Sequence, residues 1–239
     1  MESSKDKDEQ IPRKILAVCT KLGQPLYQKL GFSDVGRVTA LSATVHRSKE
    51  IGDDSLDGEG VRVRTYGSLN RASTVDDTGN SNDDSSNIDP EIRDLIAAMD
   101  ARATGWDRRK RLNKLIGHSR GENLRSITAV ATYQDNPIAA AVLRQEGPGS
   151  PFVIGPMVGS EASALPLISA LARAIPGCGE SENDGQLSIM VSEHPDLVDR
   201  LVEAGFRITF NFPAMTLDDR PIYENGDGSY LSLIHPTLG

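Results

Sequence analysis

Residues Leu187–Phe206 read LSIMVSEHPDLVDRLVEAGF: an apolar run, a polar break, a short helix and a Gly-Phe stop. Lys14–Phe32, KILAVCTKLGQPLYQKLGF, has the same order and the same Gly-Phe ending. A repeated unit constrains architecture more firmly than local propensity does, so these two copies frame everything between them. In the second copy Ser188–Val191 predicts a strand, and Pro195 stands at the first position of a helix behind His194, which reads as its cap. Leu197, Val198 and Leu201 make that helix's buried stripe, and Gly205 supplies the left-handed stop. In the first copy, Ile15–Val18 runs without alternation inside an apolar stretch from Ile11 to Thr20, which predicts a strand covered on both faces. Leu22, Leu26 and Leu30 then share one helical face before Gly31, and Phe32–Val45 predicts an edge strand.

Outward from the first copy, the composition turns to Asp, Ser, Gly, Asn and Thr between about His46 and Asn87, as in GDDSLDGEG and DDTGNSNDDSSN. Such a stretch cannot bury enough apolar surface to offset its ordering entropy, which predicts a disordered acidic linker over residues 46–88. Arg62–Leu69 is its one less polar patch and the one place where a short strand would fit. Asp89-Pro90-Glu91 then opens a helix carrying Ile92, Leu95, Ile96 and Met99, and Trp106–Ile116 predicts a second with Leu112, Leu115 and Ile116 inward. Leu124–Tyr133 and Ile138–Arg144 predict an antiparallel hairpin across Gln134-Asp135-Asn136-Pro137, followed by a strand at Phe152–Met157. Ser160 caps a helix from Glu161 to about Ala174, and beyond the second copy Arg207–Leu217 and Gly228–Ile234 supply closing strands.

Bulk properties narrow the function. At 239 residues, 38% hydrophobic, the chain can build a substantial core. A net charge of -8 and a pI near 5.1 argue against a nucleic-acid partner, which needs a basic surface. The cations Arg108, Arg109, Lys110, Arg111 and Lys114 form one helical segment, either a solvated face or a contact for an anionic ligand. No signal-peptide pattern and no bilayer-length apolar run is present, which reads as an intracellular, soluble protein, cytoplasmic or nuclear. Cys19 and Cys178 make neither a CxxC nor a disulfide framework, and His46, His118, His194 and His235 have no metal-ligand spacing, so no metal site is expected.

From Pro90 the order is helix, helix, three strands, helix, strand, helix, strand and a further short strand. That order resembles the GNAT superfamily of N-acetyltransferases, an α/β (α+β) fold in which a mixed sheet flanked by helices splays between two central strands to admit acetyl-CoA. The first copy's LYQKLGF, Leu26–Phe32, is similar to the family's closing motif, and the Gly155-Pro156 strand end and the segment Asp100 to Arg108 resemble the C-terminal half of tandem members. The resemblance implies a remnant of an N-terminal GNAT unit at 1–45, the linker at 46–88 and a complete GNAT-like domain at 89–239. The first unit would be vestigial, shortened or completed by a partner chain.

The same resemblance implies the chemistry. A small-molecule or peptide amine attacks the thioester directly, and an acid protonates the departing thiolate. In the closing motif that acid is a Tyr: Tyr27 in the first copy, whereas the second places Leu201 there, which can donate no proton. The coenzyme pyrophosphate would lie on a helix N-terminus after a Gln or Arg and small residues. Here the pattern falls on Gly159, Ser160, Ala162 and Ala164, with Gly159 where Gln or Arg is expected and Glu161 adding an unfavourable charge. Asp100 and Glu193 are further candidates for a base or an amine-binding carboxylate. The implied function is acyl-CoA-dependent N-acetylation, incomplete or weak in this chain. The alternative is a non-catalytic GNAT-like module that binds a ligand or buttresses another domain.

Overall fold

The computed structural model describes residues 16–45, 61–67, 88, 90–116, 125–145, 147, 149–175, 185–192, 194–217 and 230–233. In chain order the strands are β1 (Leu16–Val18), β2 (Ser33–Thr44), β3 (Val61–Gly67), β4 (Arg125–Tyr133), β5 (Asn136–Gln145), β6 (Phe152–Gly159), β7 (Gln186–Ser192), β8 (Arg207–Thr216) and β9 (Tyr230–Ser232). The helices are α1 (Gln24–Lys29), α2 (Pro90–Thr104), α3 (Arg109–Ile116), α4 (Ala164–Arg173) and α5 (Pro195–Glu203). The strands form one mixed sheet in the order β1-β8-β2-β7-β9-β6-β5-β4-β3, nine strands among the described residues.

Helices cover both faces of this sheet. On one side Ile96, Ala97 and Ala103 of α2 and Leu112 and Ile116 of α3 pack on Val130, Ala140, Val142 and Val158. On the other, Leu167, Ile168 and Leu171 of α4 and Leu197 and Leu201 of α5 close over Ile127, Leu143, Ile154 and Ile189. Strands buried on both faces carry continuous apolar runs, which is why β6 is buried at every position. The β4–β5 hairpin turns on Gln134 and Asp135 alone, both at positive φ (48° and 61°), the primed geometry that matches strand twist. It is two residues tighter than the Gln-Asp-Asn-Pro break suggested.

The two copies of the repeat are interleaved. β8, from the second copy, lies between β1 and β2 of the first, and β2 lies between β7 and β8 of the second. Aligning Phe32 with Phe206 makes Val38 equivalent to Phe212, and these two residues face each other in the β2–β8 ladder. On either side of them the pairs are mutual: Arg37 with Pro213 and Thr39 with Asn211, Gly36 with Ala214 and Ala40 with Phe210. The irregularities match as well, since one ladder break skips Val35 and the other its equivalent, Thr209. The outer pairings match in kind but not in register: β1 runs antiparallel to β8 as β7 does to β2, yet Ala17 meets Met215 while its equivalent, Val191, meets Thr39, two residues from Met215's equivalent, Leu41. An approximate two-fold axis therefore passes through the sheet at Val38 and Phe212, and each copy lends its second strand to the other.

This exchange corrects two expectations. β2 is an interior strand, not an edge; its small residues suggested an edge because its neighbours come from the far end of the chain. β1 is the sheet's terminal strand, not a doubly covered one, with Ala17 and Val18 only partly buried. Within the expected linker, the patch where a short strand would fit is indeed one: Val61–Gly67 is strand β3 and pairs along its whole length with β4. The rest of the expected linker lies outside the described residues, as do residues 11–15.

The copies differ in what covers their helices. Leu197 and Leu201 of α5 are fully buried, whereas α1 buries nothing, and Leu22, Leu26 and Leu30 are exposed at 94%, 61% and 60%. The shared leucine face expected on α1 is present, but no second layer packs on it among the described residues. Leu201→Ala should therefore cost about 3 kcal/mol, a buried leucine's transfer and cavity terms, while Leu26→Ala should stay within about 0.5 kcal/mol. Urea unfolding of the two variants compares them directly. Equal losses would show that the α1 face is covered in solution.

Candidate functional site

The sheet departs from regular pairing between β6 and β7. These strands run parallel and pair over Phe152–Ile154 and Leu187–Ile189, and beyond that they diverge. The short strand β9 enters the opening, pairing antiparallel with β6 through Met157–Ser232 and Val158–Tyr230 and with β7 through Val191–Ser232. Its three residues are fully buried, the Ser232 hydroxyl donates to the Ile154 carbonyl (3.1 Å), and the Leu233 N–H donates to the Met190 carbonyl (3.0 Å). The fit depends on Gly155, at φ 149°, whose missing Cβ would lie 2.1 Å from the Leu233 carbonyl oxygen.

β6 then leads into α4 through Ser160 and a short 3-10 turn, Glu161–Ser163, so the four residues expected to cradle pyrophosphate are brought together here. Gly159 is buried at φ 128°, with its absent Cβ position 2.3 Å from the Ala139 Cβ, and Ala164 is buried beneath the helix. Ser160 and Ala162 are exposed. Ser160 makes no side-chain cap to the turn's backbone; its hydroxyl instead pairs with that of Ser163 (3.0 Å).

Glu161 is engaged inward. Its Oε1 lies 2.6 Å from His194 Nδ1, and His194 Nε2 lies 3.0 Å from the Tyr230 carbonyl oxygen. Both ring nitrogens face oxygen atoms, so the imidazole is held between the β6–α4 turn and β9. Arg200 of α5 donates to the Glu161 carbonyl (3.1 Å). His194 is thus not the side-chain cap of α5 that its position suggested. It ties the β6–α4 turn, α5 and β9 into one unit.

The opposite side of β9 meets a second ionic group. Arg108 binds buried Asp100 through two bonds, Nε to Oδ2 at 2.9 Å and Nη2 to Oδ1 at 2.5 Å, and its guanidinium lies 5.0 Å from the Tyr230 ring centre. Burial lowers the guanidinium's affinity for its proton, but Tyr230 and Asp100 outweigh that and leave its pKa raised. Asp100, considered as a base, is committed to this pair. Glu193 lies outside the described residues.

Tyr27 sits elsewhere. It lies on α1, in the connection between β1 and β2, strands five and three places from β6 in the sheet order, half-buried with its ring edge-on to Phe32 at 5.3 Å. The structure does not bring it together with Gly159, Ser160, Ala162 and Ala164. Leu201, its equivalent, is fully buried in the core beneath α5. Nearby Cys19 is buried against the Met215 thioether, and that burial, with the Asp34 charge adding to it, pushes its thiol pKa up, away from nucleophilic character.

Among the described residues no helix is long and apolar enough to cross a membrane, and no group of three or more His, Cys, Asp or Glu side chains gathers to hold a metal ion. Sequence reasoning found Asp100, Glu161 and His194 singly but missed that β9 joins them with Arg108. The only sequence signal was the closing strand Gly228–Ile234, with nothing local to say where it would insert.

Known proteins give the fold its place. No family model matches the sequence, and no curated protein sequence does. Among solved structures the chain is similar to a Pyrococcus horikoshii protein classed as an acetyltransferase, at 15% identity and a TM-score of 0.53, over 92% of this chain and 58% of that one. It is also similar to a tandem GNAT protein from the clavulanic acid biosynthesis pathway, at 13% identity and a TM-score of 0.51, over 85% of this chain and 62% of that one. At such identities the likeness is one of fold, that of the GNAT acetyltransferases. The chain spans about six-tenths of the length of each of these proteins.

Proposed function

We propose that this GNAT-fold chain serves acyl-CoA-dependent N-acetylation of a small-molecule or peptide amine, with the second copy of the repeat as a closed, buttressing unit and Tyr27 of the first copy as the proton donor. The observation that carries this division is β9. In the GNAT resemblance acetyl-CoA enters the opening between the strands that correspond to β6 and β7, and here that opening is filled by Tyr230–Leu233. The β6–α4 turn fits a coenzyme pyrophosphate no better, since its carboxylate Glu161 is held in place by His194 and Gly159 offers no charge. No catalytic step is therefore assigned to the second copy.

What remains for chemistry is the first copy, where the Tyr27 hydroxyl can give its proton to a departing thiolate while an amine forms the new C–N bond. The cradle for the coenzyme must then come from outside the described residues or from a partner chain. Tyr27→Phe should lower the transfer rate by about 10² or more, as expected when a general acid is removed. The rate is measured as thiol release from acetyl-CoA with a panel of amines, against the unaltered chain. A second reading, a ligand-binding or buttressing module without catalysis, is favoured by the same filled opening; undiminished transfer by Tyr27→Phe would remove Tyr27 from the mechanism, and no transfer by the unaltered chain would leave the module reading.

A further inference from the structure

We infer that the start of α3 is a binding site for a phosphorylated small molecule, separate from any coenzyme position at the β6–α4 turn. A cleft of about 350 Å³ opens there, lined by Asp107, Arg108, Lys110, Arg111 and Lys114. That is the size range of small-ligand sites. Four cations and one carboxylate converge on it, in a chain whose net charge is -8.

The arrangement is electrostatically unfavourable without a ligand. The first turn of α3 contains no acidic residue and begins Arg109-Lys110-Arg111, so three positive charges crowd the positive end of the helix dipole. One carboxylate, Asp107, offsets part of this charge as it caps the helix, its Oδ1 accepting the Arg109 N–H at 3.0 Å. Arg109 turns away toward Asp94 (3.6 Å), leaving Lys110, Arg111 and Lys114 on the cleft. Helical spacing places Lys114 one turn beyond Lys110, so both can reach one ligand. Arg108 forms the rigid wall, fixed by its two hydrogen bonds to Asp100 and its place over the Tyr230 ring.

An anion with two or more charges relieves this repulsion and gains charge-assisted hydrogen bonds from several donors at once. A compact phosphorylated ligand suits it better than a nucleic acid, since the acidic remainder of the chain repels an extended polyanion. The assignment does not rest on the acetyl-transfer reading, and Tyr27→Phe should leave it untouched.

Isothermal titration with inorganic pyrophosphate at low ionic strength tests it. Saturable binding of one equivalent is expected, weakening steadily along a salt series. Lys110→Glu/Arg111→Glu should weaken it on the order of tenfold or more, and Lys114→Gln by less. Both variants alter exposed side chains, and circular dichroism checks that they fold; if the double variant does not, Lys114→Gln and the salt series decide. The inference is overturned by absent saturable heat up to about 10 mM pyrophosphate, by undiminished affinity in the charge variants, or by tightening on Glu161→Gln, which would place the ligand at the β6–α4 turn. Tighter binding of a short DNA duplex than of pyrophosphate would also overturn it.

Discussion

Gly155→Ala is expected to destabilise the chain by about 4 kcal/mol or more, or to fold with the last described strand expelled from the sheet. Two effects combine. At φ 149° an L side chain is strained, which costs about 1–3 kcal/mol, and its Cβ would lie 2.1 Å from the Leu233 carbonyl oxygen. Backbone cannot move aside as a flexible side chain can, because Leu233 is itself held by Met190. The same substitution at exposed Gly149, where nothing lies within 4 Å, carries only the conformational term. Chemical denaturation of the two variants separates them, and hydrogen exchange at Tyr230–Leu233 reports whether β9 has left. Equal midpoints for the two would show that β9 does not fill the opening in solution.

Asp100→Ala should cost about 3–5 kcal/mol, because it strands a buried guanidinium. Asp100 is 1% exposed and takes both bonds from Arg108, whose side chain is 14% exposed. The loss is the penalty of an uncompensated charge more than the worth of the pair, so Asp100→Ala with Arg108→Leu should recover part of it. Thermal unfolding of the single and double variants closes the cycle. A double variant as unstable as the sum of its parts would mean the two residues are not coupled.

Much of the fold was legible in the residues. Pro90 and Pro195 marked helix starts, Gly31 and Gly205 marked helix ends at φ 87° and 94°, and the apolar runs of β5 to β7 marked strands. What the residues could not show was pairing between distant segments. Phe32–Val45 carries the same side chains whether its neighbour is solvent or β8, so nothing local distinguishes an edge from the middle. The α1 leucines taught the converse lesson, since helical periodicity records an apolar face but not whether another layer covers it.

The candidate site divides in the same way. Leu201 in the Tyr position and Gly159 in the Gln or Arg position are read from the sequence alone, because each is a matter of residue type. The closure of the opening by Tyr230–Leu233, and the binding of Glu161 and Asp100 to His194 and Arg108, depend on three-dimensional register and could not be read that way.

The interleaving of the two copies also dictates an order of assembly. Among the described residues β2 pairs only with β7 and β8, and β1 only with β8. A chain emerging from the ribosome in sequence order therefore holds both strands unpaired until more than a hundred further residues have been made. Neither half can be completed first, so sheet closure near Val38 and Phe212 is a late, long-range event, slowed by the entropy of joining distant segments. During that interval the apolar edges of β1 and β2 are open to the wrong partner, and holding them soluble falls to the charged and polar segments that surround them.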